Sequence, residues 1–128
     1  MLICCVIALL FCITGNAKVP YIPKIINYSV SDYKAGNQNW AVSQGPGGKM
    51  YIGNNRGLLV FDGIHWDLVK LPNNLGVRAL YISKDGRIYV GSFEEFGYFE
   101  MDDENDLIYH SLSSSEMNVY LNNDEFWT

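Results

Sequence analysis

Apolar and polar positions change places quickly along this chain, in runs of four to eight residues. NWAVSQ (39–44), KMYIG (49–53), GLLVFDG (57–63) and IHWDLVKL (64–71) form one group of four. VRALYIS (77–83), RIYVG (87–91), FGYFEM (96–101) and LIYHSL (107–112) form a second. Gly, Asn, Asp, Ser and Pro punctuate them, which is how short β-strands are bounded. No window sustains an apolar period near 3.6, so no α-helix is expected after residue 20.

The two groups are copies. Laid over DGRIYVGSF (85–93), GGKMYIGNN (47–55) matches Gly48 to Gly86, Tyr51 to Tyr89 and Gly53 to Gly91, with Ala41 matching Ala79 upstream, all at an offset of 38. One more step of that offset aligns Met50, Ile88 and Phe126, and also Tyr51, Tyr89 and Trp127, so the final DEFWT begins a third copy. A fixed period of this size marks a repeat architecture, and four strands in about 40 residues make a β-propeller blade. The expected fold is all-β: two complete four-stranded blades (37–75 and 76–117) and the start of a third (118–128) in an incomplete ring. Gly48 and Gly86 are expected at positive φ in the turn between first and second strands. Gly53 and Gly91 end the second strands. The lead-in, 18–36, contains IPKIINYS (22–29), which reads as a strand able to close a ring. Two blades alone leave two sheet faces wet, so the chain reads as a fragment of a larger propeller.

Composition narrows the partners. The chain is 48% hydrophobic with net charge −5 and pI about 4.8. Its Lys and Arg are scattered, without the basic stripe that nucleic-acid binding needs. The uncharged opening MLICCVIALLFCITGNA (1–17) is too short to span a bilayer, which takes about 20 apolar residues. It reads as a signal peptide, with Gly15-Asn16-Ala17 as the cleavage site, although no basic residue precedes its apolar run. The competing reading is an uncleaved anchor. Cys4, Cys5 and Cys12 all fall in this segment, so the mature chain is expected to lack thiols, as suits an exported protein.

Catalytic and metal motifs are weak. SQGPGGKM (43–50) imitates a phosphate loop but has Ser43 for the first Gly and Met50 for the Ser or Thr, so it reads as a hairpin turn. Asp102 to Asp106 lacks the Gly and Glu of a calcium loop and reads as a solvated turn. His65 and His110, placed in fourth strands, lack a third zinc ligand. Asn27-Tyr28-Ser29 is a glycosylation sequon, without meaning in a bacterium. No catalytic residue, metal or cofactor is expected.

Binding residues are sought where the copies differ. The loop after the second strand reads Asn54-Asn55-Arg56 in one copy and Ser92-Phe93-Glu94-Glu95 in the other, and Trp40 is answered by Arg78. Loops of this kind gather on one face of a repeat fold and often bind. Trp40, Asn54, Asn55, Arg56, Arg78, Phe93, Glu94 and Glu95 are therefore expected at one rim, suited to a polar ligand. Arg78 is expected to reach Glu94, which on the plainer reading is a surface ion pair. Trp127, aligned with Tyr51 and Tyr89, reads as packing.

NQNWAVSQ, GKMYIGNNRGLLVFDGIHW and VRALYISKDGRIYVGSFEEFGYF together resemble the start of bacterial two-component regulator propeller proteins, in the branch that continues into a triple-tyrosine domain. The resemblance covers about residues 22–128. It implies a seven-bladed periplasmic propeller, or a pair, anchored to the inner membrane through one later helix. A histidine kinase or LuxR-type output would follow, and any kinase activity would lie there. It further implies sensing of an extracellular nutrient such as an oligosaccharide. The alternative is a propeller that docks a protein or its own homodimer mate without binding a small molecule. The remaining blades are partners on either reading.

Overall fold

The computed structural model describes residues 22–113 and 125–127. The expected signal peptide, its three cysteines and most of the third copy lie outside these residues.

Two four-stranded antiparallel sheets carry the fold. The first holds β1 (Asn39–Gln44), β2 (Met50–Asn54), β3 (Gly57–Phe61) and β4 (Trp66–Val69) in sequence order. The second holds β5 (Ala79–Ile82), β6 (Ile88–Gly91), β7 (Phe96–Met101) and β8 (Leu107–Ser111), again in order. Two successive propeller blades account for this arrangement. Their first turns are equivalent: Gly45 N–H donates to Lys49 O, and Ser83 N–H donates to Arg87 O, both at 2.9 Å. Gly48 (φ 81°) and Gly86 (φ 91°) both adopt the left-handed region as expected.

Alternation builds the core. Tyr51, Leu58 and Val60 point from the first sheet toward Leu80, Ile88, Val90 and Phe99 of the second, with Leu71 and Val77 from the connection between them. Leu58, Val77 and Phe99 are completely buried. Burying a side chain of this size stabilises by about 1.5–3 kcal/mol, so this interface holds the two blades together.

Several expectations require correction. The lead-in contains no strand over 22–29; it contains instead one α-helical turn, α1 (Val30–Tyr33). Ser29 stands at its N-cap, and the Asp32 carboxylate reaches back to it: Ser29 N–H donates to Asp32 Oδ2 at 2.6 Å. A single capped turn is too short to leave a 3.6-residue period, which is why the pattern missed it. Tyr33 and Ala35 cover Ile52 and Leu59 on the face of the first sheet turned away from the second. Tyr28 and Tyr33 pack edgewise and tilted on Trp66, which stacks on Phe61 at 4.3 Å.

Gly53 does not end its strand, which runs on to Asn54. Its role is close approach: a Cβ there would stand 3.0 Å from Val77 O. Gly91, at the end of β6, meets Phe126 in the same way.

The third copy has a different register from the one expected. Val77 N–H donates to Asn54 O at 2.9 Å, and Phe126 N–H donates to Ser92 O at 3.1 Å. Phe126 is thus the counterpart of Val77, not of Met50 and Ile88, and Trp127 answers Arg78 and Trp40 rather than the buried Tyr51. The second copy spans 49 residues, Val77 to Phe126, instead of 38. Five of the additional residues enlarge the β7–β8 hairpin, where Phe99 pairs with Tyr109 while Phe61 pairs with Trp66. That hairpin is a solvated turn as read, with Asp102 Oδ1 accepting from Glu104 N–H and Asp106 N–H. His110 lies in β8, but His65 sits in the turn before β4.

Candidate functional site at one end of the blades

The β2–β3 and β6–β7 loops lie at the same end of their sheets as the starts of β1 and β5. Asn39 pairs with Asn54, and Ala79 pairs with Gly91. All eight candidate residues therefore belong to one end of the two blades, in three physical roles.

Some of them build the loops. Asn54 is completely buried. Its Nδ2 donates to Gly36 O and Asn39 Oδ1 at 2.7 Å, and its Oδ1 accepts from Gly36 N–H and Arg56 N–H at 3.0 Å. Glu95 is turned toward the outer strand, where Oε1 accepts from Tyr109 Oη at 2.8 Å and Ser111 Oγ at 2.6 Å. Burial, then the Glu95 carboxylate, pushes the Tyr109 phenol well above its usual range, so it remains a donor. Ser92 N–H closes its loop on Glu95 O at 2.8 Å.

Others shape the surface. Arg56 is exposed. Glu94 takes the left-handed conformation (φ 51°) at the corner of its loop. Phe93 is 39% exposed and bridges to Glu125. Asn55 packs against Gly36 and Gly76, and its buried Oδ1 has no hydrogen-bond partner among the described residues.

The third group crosses the blades. Trp40 lies near the start of β1, Arg78 directly before β5, and Trp127 in the segment that runs beside the end of β6. The Arg78 guanidinium carbon lies 4.3 Å from the Trp40 ring centre and 5.7 Å from that of Trp127. The two indoles meet edge to face at 5.4 Å. Cation–π contacts of this kind stabilise by about 0.5–1 kcal/mol when exposed and by about 2 when desolvated. Glu125 Oε1 stands 3.9 Å from Arg78 Nε, and Arg78 Nη1 is buried without a hydrogen-bond partner among the described residues. Trp127 and Glu125 were missed as site residues. The signal was present as a second Trp, but it becomes visible only with a 49-residue spacing.

The opposite end has its own charged groups, already engaged with one another. Arg87 lies between Asp85 (3.5 Å) and Glu100 (3.3 Å), with His110 Nε2 at 3.0 Å from Glu100. Asp85, Arg87 and Glu100 border a groove of about 580 Å³ between the sheets, shared with Pro46, Lys49 and Tyr51. Among the described residues no group of His, Cys, Asp and Glu is arranged to hold a metal, and no helix is long and apolar enough to cross a membrane.

Residues 70–94 match the two component regulator propeller family model. The matched segment runs from the interblade connection through β5 and β6 into the rim loop, and includes Arg78, Phe93 and Glu94. No curated protein and no solved structure matches the chain.

Proposed function

We propose that this chain is part of an exported, ligand-sensing propeller of a signal-transduction regulator, and that its ligand, an oligosaccharide or similar small nutrient, is taken at the rim end of the blades. The observation that carries this reading is the Trp40–Arg78–Trp127 cluster. Three residues from successive repeats meet at the end where the loops vary, with Trp40 39% and Trp127 56% exposed. Exposed indole faces stack on apolar ring surfaces, and a guanidinium supplies directional donors beside them. Export rests on the apolar opening of the chain, and signalling rests on the regulator repeat at 70–94. The kinase or transcription-factor output belongs to segments beyond these blades.

The test uses the full-length receptor in its host, with a reporter for its response. Trp40→Ala combined with Phe93→Ala should shift the inducer dose–response by more than about tenfold, the scale expected when aromatic anchors are removed. The melting temperature should move little. A response at unchanged inducer concentration would remove the rim as the sensing site and leave protein docking as the better reading.

A further inference from the structure

We propose, building on the rim reading above, that Arg78 selects a ligand carrying an oxyanion, a carboxylate or a sulfate, beside an apolar ring face.

A guanidinium is flat, with five N–H donors in its plane and none above or below it. Indoles lie against Arg78 at 4.3 and 5.7 Å, so further bonds must form through the in-plane edges. On the Nε side the Glu125 carboxylate stands at 3.9 Å, longer than a hydrogen bond. On the other side Nη1 has no acceptor among the described residues. A buried N–H of a charged group that lacks an acceptor is costly, and an incoming oxygen regains that cost. A carboxylate or a sulfate offers two oxygens to the fork for two parallel bonds, so it gains more than a hydroxyl.

Access is consistent with this role. The Arg78 side chain is 23% exposed. The indole on one side of it, Trp127, is 56% exposed and can give way without disturbing the interblade core. The chain as a whole carries net charge −5, so attraction of an anion has to come from a local cation, and Arg78 is placed to provide it. Arg87, at the opposite end, is already held between two carboxylates.

The experiment titrates the full-length protein with three probes, digalacturonate, its dimethyl ester and a sulfated disaccharide, following tryptophan fluorescence and heat. The ester keeps the rings and removes the charge. At least one acid should bind about tenfold or more tighter than the ester, with an advantage that shrinks as salt rises. The carboxylate and sulfate arms tell which oxyanion is preferred. Arg78→Gln should erase the preference, and Arg78→Lys, which keeps a cation without the fork, should retain only part of it. The lysine variant decides the matter if the glutamine variant fails to fold. Equal binding of acid and ester, a preference that survives Arg78→Gln, or no binding of either acid at millimolar concentration overturns the proposal. Ester binding that depends on Trp40 but not on Arg78 overturns it while leaving the rim reading intact. Binding insensitive to both substitutions overturns both.

Discussion

Asn54 and Ser92 occupy the same place in successive blades, one position beyond the close-packed glycine of the second strand, and share almost no chemistry. Both are buried polar residues. Asn54 makes four hydrogen bonds and ties its loop to Gly36, before the first blade. Ser92 Oγ donates once, at 2.5 Å, to Gly76 O, before the second. Each therefore fastens the loop after the second strand to the segment leading into its own blade, by different means. Variation between repeats is thus not by itself a sign of binding. Part of it is two solutions to one structural demand, and what is left after subtracting them is Trp40, Arg78 and the outward parts of the loops.

The largest expected effect follows from that contrast. Asn54→Ala leaves Gly36 and Arg56 with unmet backbone groups in a buried place and should cost roughly 2–3 kcal/mol. Ser92→Ala loses one bond and should cost about 1 kcal/mol. Urea unfolding of the complete propeller measures both. Equal losses would mean that the two loops are anchored alike after all.

Next in size are the equivalent turns. Gly86 has φ 91° and open space around a would-be Cβ, so the cost of Gly86→Val comes from backbone strain alone. It should exceed about 1 kcal/mol. An unchanged melting curve would separate the two blades' turns, which now look interchangeable.

The smallest effect distinguishes the outer hairpins. Asp62 Oδ1 accepts from His65 N–H and Ile64 N–H, and these bonds hold its carboxyl down to about 2. Because the folded value lies below the unfolded one, the contribution is present above about pH 4 and is lost as pH falls toward 2. Asp62→Asn should therefore lower the melting temperature slightly at neutral pH and converge with the wild type near pH 2. Parallel curves across that range would mean the turn does not depend on the charge.

Most of the frame was legible in the sequence. Short apolar runs between turn residues marked all eight strands, two of them, β1 and β7, with the observed ends. The turn glycines were legible because only their backbone conformation matters. The single turn of α1 was not, since four residues cannot establish a period. The inward turn of the Asn54 and Glu95 side chains was not legible, because one sequence does not say which loop side chains point inward. Trp127 was misplaced because a constant offset assumes equal copies, and the longer second copy breaks it. Arg78 was expected to reach Glu94; the carboxylate found beside it is that of Glu125, at 3.9 Å, from a segment that the 38-residue offset had placed elsewhere.

Hydrogen exchange of the full-length receptor, with and without its inducer, tests most directly whether one end of the blades is the sensing end. Backbone amides at 38–40, 54–56, 77–78 and 92–95 should gain protection, while the turns at 45–49 and 83–87 should not change. Protection that appears at those turns, or along the open face of the second blade around Tyr81 and Tyr98 with the rim unchanged, would contradict it.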